Sequence, residues 1–249
     1  MTRGKAAAIH LALSAVVVVA ALSVVVLLWY PGAFFRGLGG AHLVALLGTV
    51  DVCLGPLVTL IVFDTRKKSL RFDLATIACV QAIALAYGSW VLFQARPAYV
   101  VFVKDVFKVA TANELEDSQL AEASRPEFAI RPLTGPRIVA ARLPASREEL
   151  ERLMFAGATY GIDLHQLPRY YVPYGEVRSE VLAASRALDG AKGALASDRS
   201  GALAEYVKDS GRPAGSFRYL PVISRRGEMS ALVDASDAAV AAILPASAD

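Results

Sequence analysis

Hydrophobic positions are distributed unevenly along this chain. Three nearly unbroken apolar runs lie in its first third, at residues 6–28, 41–63 and 74–93. A helix needs about 20 apolar residues to cross the hydrocarbon core of a membrane, so each run qualifies as a transmembrane helix. We therefore predict a membrane domain over residues 1–93 and a water-soluble domain over residues 94–249.

The first apolar run also has features of a secretory signal, because the basic residues Arg3 and Lys5 precede it. It is longer, however, than the usual ~7 to 15 residues of a signal core. It also ends at Trp29-Tyr30-Pro31 rather than at a site of small residues. We interpret this run as a helix that is retained.

Beyond residue 94 the pattern changes to short β-branched and aromatic runs that alternate with amphipathic stretches. The last strands are expected at 217–224, 229–234 and 239–244. Helices are expected near 147–156, 174–188 and 199–209. Ser146 and Glu149 have the spacing of a capping box, which begins the first of these helices. The order of elements predicts a C-terminal α+β soluble domain with a mainly antiparallel sheet.

Composition and charge narrow the class of protein further. The apolar fraction of 55% and the mean hydropathy of +0.44 exceed those of an average soluble protein. The net charge of +3 comes from the membrane domain, since residues 94–249 hold 19 basic and 20 acidic side chains. The soluble domain lacks a basic surface for nucleic acid, so no nucleic-acid partner is expected.

Basic residues in the short loops predict the orientation, because Lys and Arg next to a membrane helix resist translocation. The N-terminus carries two basic residues and the loop at 64–73 carries four, whereas the loop at 30–40 carries only Arg36. The N-terminus and the second loop are therefore predicted to be cytoplasmic. Three crossings then place residues 94–249 outside the cytoplasm.

Candidate chemistry in the soluble domain is sparse. His165 and Asp163 could form a triad with a serine, but the chain contains no G-x-S-x-G elbow. Cys53 and Cys79, the two cysteines of the chain, lie in predicted membrane helices. Motifs for phosphate, dinucleotide or metal binding are missing from the sequence. We expect a structural histidine, no catalytic residues, no cofactor and no metal.

The second apolar run contains a polar signal at Asp51, where an ionised carboxylate in a membrane is unfavourable. Gly48, Gly55 and Thr59 share its helix face and form a strip for close packing. Pro56 releases the carbonyl of residue 52 and predicts a kink. One interpretation makes Asp51 a buried hydrogen-bonding group between helices. The other makes it an intramembrane docking or proton site.

A second cluster lies in the soluble domain, where Arg169, Tyr170, Tyr171 and Tyr174 lie between proline turns. Tyrosine and arginine are enriched at protein–protein contacts. Tyrosine is equally common at the edge of a core. The segment is therefore either a loop packed on its own domain or a contact surface for a partner.

Several motifs together resemble the TfpX/TfpZ family of type IV pilin accessory proteins. The similarity is densest over residues 29–105 and includes the residues around Asp51-Val-Cys-Leu-Gly-Pro56, Arg66-Lys-Lys-Ser-Leu-Arg71, Gln94-Ala-Arg-Pro97 and Tyr171-Val-Pro-Tyr174. The resemblance implies a protein of the inner membrane of a Gram-negative bacterium that assists pilin assembly or pilus function. With the orientation predicted above, residues 94–249 then lie in the periplasm, and the segment from Arg169 to Tyr174 is a candidate periplasmic contact. The resemblance supplies no catalytic residues.

Two functional classes follow from these observations. The first is a non-enzymatic accessory protein that contacts a type IV pilin subunit or the pilus assembly machinery within the lipid bilayer. The alternative is a membrane-bound pilin-modifying enzyme or a factor acting on the assembly machinery.

Overall fold

The computed structural model describes residues 2–188 and 201–245, and the side chains of residues 41–43, 46, 47, 50 and 51 lie outside the described set. Helices occupy most of the first 94 residues. The α-helices are α1 (Arg3–Val24), α2 (Phe34–Gly37), α3 (Gly40–Thr49), α4 (Gly55–Val62) and α5 (Leu70–Gln94). A π-helical turn at Val25–Trp29 extends α1, and another at Val50–Leu54 joins α3 to α4. We call α1, α3, α4 and α5 the helical bundle.

Two of these helical segments, Arg3–Trp29 and Leu70–Gln94, are long and apolar enough to cross a membrane. Only 6% of each apolar window is buried inside the protein, unlike the core helix of a water-soluble domain. The run at 41–63 is helical as well, from Gly40 to Val62, and contains the shorter apolar helix Val52–Val62. Two spans are therefore supported among the described residues, and the third crossing stays a prediction.

The kink predicted at Pro56 corresponds to the π-helical turn at Val50–Leu54, which directly precedes α4. A proline ring displaces the carbonyl four residues earlier and cannot donate to it. Irregular turns of this kind are a recognised cause of helix bending. The π-helical turn lies just before the proline, and the kink itself stays a prediction.

Residues 97–245 form a second unit, the sheet domain, built on one eight-stranded sheet. Its strands are β1 (Pro97–Val103), β2 (Val106–Thr111), β3 (Arg137–Ala141), β4 (Tyr171–Pro173), β5 (Arg186–Ala187), β6 (Phe217–Ile223), β7 (Glu228–Asp234) and β8 (Val240–Pro245). The order is β4-β3-β1-β2-β6-β7-β8, and β5 pairs with β6. Only β1/β3 and β2/β6 are parallel among the described pairs. The prediction of a mainly antiparallel sheet is confirmed.

The helices of the sheet domain match the predicted positions less closely than the strands do. They are α6 (Asp117–Ala121), α7 (Arg147–Tyr160), α8 (Arg178–Ala184) and α9 (Ala202–Ser210). The helix expected at 174–188 is reduced to α8, because the Arg218 side chain binds Ser185 and the next two residues pair with β6. Strand β5 thus occupies the residues predicted to form the end of the helix.

The capping box predicted at Ser146 and Glu149 is wrong. Ser146 occupies the N-cap position of α7 without a side-chain cap hydrogen bond. Glu149 instead accepts a hydrogen bond of 2.8 Å from the Tyr170 hydroxyl. The Glu149 carboxylate therefore makes a tertiary hydrogen bond instead of the local bond of a capping box.

The sheet is covered on both faces, and β1 is buried along its whole length. One face packs against α6, α7 and the loops around them through Leu120, Leu153 and Tyr171. The other face, which includes Val100 and Met229, is covered from the helical part of the chain. The side chains from that part are Val25, Tyr30, Phe34, Leu38 and Leu92, and Val177 and Val181 of the sheet domain join the same cluster. Residues assigned by sequence to the membrane domain therefore complete the core of the sheet domain.

Candidate functional site

A polar cluster joins three helices inside the bundle. His10 of α1 lies with its Nδ1 2.6 Å from the Thr59 hydroxyl of α4. Its Nε2 lies 2.8 Å from the side-chain oxygen of Gln81 in α5. The amide oxygen of Gln81 only accepts, so Nε2 is the donor in that pair, and the Thr59 hydroxyl contacts the other ring nitrogen. The imidazole is thus hydrogen-bonded on both sides and links the three helices.

The local sequence explains why these side chains meet. Gly55 and Thr59 are one turn apart on the same face of α4, and both are buried. A Cβ atom at Gly55 would overlap the Gln81 amide group, so a side chain at residue 55 would displace Gln81 from this position. The glycine therefore leaves room for the bond between Gln81 and His10.

A groove of about 450 Å³ opens beside this cluster between α1, α4 and α5. Its lining residues include the cluster, Ser14 and both small and large apolar side chains, among them Ala6, Ile9, Leu13, Phe63, Leu74, Ala78, Ala82 and Leu85. Small residues allow another helix to approach closely in a membrane. The groove is therefore lined mainly by apolar side chains, with the hydrogen-bonded polar cluster at its base.

The small residues predicted to form a strip around Asp51 face two different helices. Gly48 faces Val18 of α1, to which an added Cβ would make an ordinary contact of 3.8 Å. Gly55 faces α5 as described above, and Pro56 is buried. The backbone of Asp51 lies in the π-helical turn, whereas its side chain is outside the described residues. Both interpretations of Asp51 remain predictions.

The segment containing Arg169 to Tyr174 packs on its own domain. Tyr171 is fully buried and its hydroxyl donates to the His165 carbonyl. The Tyr174 hydroxyl donates to the Ala238 carbonyl at 2.6 Å, and burial raises the pKa of Tyr174 to about 12. Arg169 is exposed and pairs with Glu122 at 3.1 Å. Of the four predicted contact residues, Arg169 is exposed, Tyr170 and Tyr174 are partly buried and Tyr171 is buried.

Asp163 and His165 are adjacent, as a triad would require, but Lys108 takes part as well. The Nζ atom of Lys108 binds the same Asp163 oxygen that lies 3.5 Å from His165 Nδ1. These neighbours, His165 first, hold the pKa of Asp163 well below its usual range. Asp163 also caps the turn at 164–166 through a bond to the Leu164 amide. This carboxylate holds neighbouring segments together.

His10 is not among the predicted site residues, because it carries no formal charge at pH 7 and lies inside a long apolar run. A polar ring within such a helix is nevertheless a signal of function or of helix packing. Its partners on α4 and α5 could not be assigned from sequence, because they depend on how the helices pack.

The hydrogen bond between His10 and Thr59 predicts energetic coupling. In a double-mutant cycle, His10→Ala and Thr59→Val should together destabilise the protein by about 0.6 kcal/mol less than the sum of the single changes. Unfolding in lipid bicelles measures this difference. Thr76→Val is the matched control, since the Thr76 hydroxyl bonds to Phe72 of its own helix. A cycle with no coupling would show that the bond between His10 and Thr59 adds no stability.

Comparison with known proteins finds relatives in Dichelobacter nodosus. The chain is 31% identical over 186 residues to a fimbrial assembly protein of serogroup E1, covering 74% of this chain and 72% of the relative. It is 30% identical over 186 residues to the serogroup I fimbrial assembly protein, with the same coverage. A shorter relative, from serogroups C1 and C2, is 31% identical over 121 residues. No family model and no solved structure matches the chain.

Proposed function

The chain belongs to the family of fimbrial assembly proteins, and from this premise we propose that it assists the biogenesis of type IV fimbriae at the bacterial inner membrane. The identity of about a third over most of both chains supports this role. The resemblance to TfpX/TfpZ accessory proteins points in the same direction.

The proposed placement has three crossings, a cytoplasmic N-terminus and a periplasmic sheet domain. Arg3 at the start of α1 forms a salt bridge of 3.4 Å with Asp64, just beyond α4. This contact brings the basic N-terminus and the basic loop at 64–73 to the same end of the bundle. Helix α5 leads from that loop to the sheet domain at the opposite end. The arrangement agrees with basic residues remaining in the cytoplasm.

Within this placement, the groove between α1, α4 and α5 would hold the apolar helix of the fimbrial subunit before assembly. The observation that carries this proposal is the groove itself, whose small side chains suit a second helix. We further propose that the protein acts without enzymatic chemistry, by holding the pilin subunit in the membrane for the assembly machinery.

Photo-crosslinking tests the contact directly. A photoreactive residue at Leu13, which lines the groove and is 63% exposed, should capture the fimbrial subunit in cells. The matched control is Val19, which lies on the same helix outside the groove lining and is 61% exposed. Capture at both positions or at neither would contradict a specific groove contact.

Deletion of the gene separates the two functional classes. Surface fimbriae should fall sharply, while the intact mass of the fimbrial subunit should be the same in wild-type and deletion strains. A mass difference would replace the non-enzymatic proposal with the pilin-modifying alternative. Unchanged fimbriation would contradict the role in assembly.

A further inference from the structure

A loop of the sheet domain, residues 130–135, is fixed between the ends of both candidate spans. The Gly135 amide donates to the Leu28 carbonyl at 2.6 Å, at the end of the first span. The Arg96 side chain donates to the Pro132 carbonyl at 2.9 Å and to the Phe93 carbonyl at 2.6 Å, at the end of α5. The loop therefore crosses the space between the two helix ends.

Two further features hold this loop in place. The buried Tyr99 hydroxyl of β1 donates to the Ile130 carbonyl at 2.8 Å. Gly135 has φ +60°, and an added Cβ would lie 3.3 Å from the Pro31 ring. A left-handed backbone in a tight space favours glycine strongly. The loop is thus attached at both ends and at its middle.

Although the loop is well anchored, it exposes large apolar side chains. Leu133 is 64% exposed and Ile130 is 45% exposed. Leu27 and Leu28 of the adjacent span are 71% and 45% exposed. The apolar surface of the span therefore continues onto the sheet domain, and Arg137 follows it as an exposed cation at the start of β3.

We propose that residues 130–135 insert Leu133 and Ile130 into the outer lipid leaflet, so that the sheet domain rests on the bilayer. Lipid is the occupant because the loop is bonded to the ends of the membrane helices and extends their lipid-facing surface. Arg137 then lies at headgroup depth, where phosphates favour a cation. The inference rests on the membrane placement proposed above.

Lipid-borne quenching tests this contact on the full-length protein in nanodiscs. Cys53 and Cys79 are first replaced with alanine, and a fluorescent label is attached at Leu133→Cys or Ile130→Cys. The references are Leu27→Cys in the span and Met154→Cys, an apolar residue of α7 that is 67% exposed and lies near the β1–β2 turn. Phospholipids with nitroxide on the acyl chain and aqueous iodide are the two quenchers.

The labels at Leu133 and Ile130 should lose fluorescence to the lipid nitroxide as Leu27 does, and should be protected from iodide relative to Met154. Quenching by lipid at Leu27 but at neither loop position would overturn this inference and leave the membrane placement intact. Quenching by lipid at none of the three positions would overturn both. If iodide quenches both loop labels in the purified protein, the patch is open to water, which also contradicts the lipid contact. That result is expected of a site for another protein.

Discussion

Replacing Tyr171 with alanine should lower the free energy of unfolding by about 3–5 kcal/mol, as truncation of a buried aromatic residue does. Its ring is fully buried. It packs edge-on against Tyr99 and Phe128, with centroid distances of 5.2 and 5.8 Å. Chemical unfolding of the purified full-length protein, followed by tryptophan fluorescence, measures the change.

Two further variants separate the loss of the buried ring from the loss of its hydroxyl bond and from the loss of a surface ion pair. Tyr171→Phe keeps the ring and loses one hydroxyl bond, so a loss of about 1 kcal/mol is expected. Arg169→Ala removes an exposed ion pair and should cost about 1 kcal/mol or less. If Tyr171→Ala were as mild as Arg169→Ala, the ring would contribute little to the core, and a role in partner contact would become the better explanation.

Replacing Arg96 with alanine should destabilise the protein by about 3 kcal/mol, because two charge-assisted hydrogen bonds are lost in a buried site. Arg96 is only 2% exposed, and burial lowers the pKa of its guanidinium. Its removal leaves the Phe93 and Pro132 carbonyls without this donor and frees the loop at 130–135 from the end of α5. Thermal unfolding in detergent micelles measures the effect.

Arg96→Lys should recover only part of this loss, because one ammonium group cannot reproduce the planar fork that reaches both carbonyls. Arg137→Ala is the control, since that side chain is exposed and makes a bond of 3.3 Å to a surface carbonyl. Its change should stay within about 0.5 kcal/mol. Equal stability of Arg96→Ala and the wild-type protein would contradict the structural role assigned to this residue.

Local patterns predicted most of the secondary structure. The closing strands β6, β7 and β8 lie within one residue of the predicted bounds, because alternating apolar runs between turns specify strands well. The failures occur where distant residues compete with local motifs. Tyr170 takes the Glu149 carboxylate from its capping box, and Arg218 draws Ser185 away from a longer helix.

The candidate site was predicted only in part. Thr59 and Gly55 were found through the spacing of small residues on one helix face, which is a local property. Their contacts with His10 and Gln81 depend on how three helices pack, and no single helix carries that information. The interpretation of Tyr171 as a core residue required the same tertiary knowledge, since its sequence context suited a surface contact equally well.

The segment between α1 and α3 also determines the order in which parts of the protein can fold. Tyr30, Phe34 and Leu38 emerge early during synthesis, yet their packing partners include Leu220 and Met229, about 190 residues later. In the proposed placement, membrane insertion would proceed from the N-terminus, so these side chains would stay unpacked beside the bilayer until β6 and β7 had been exported. The final folding step would then join the two ends of the chain, and a nascent protein interrupted before β7 would display an unfinished apolar surface to periplasmic chaperones and proteases.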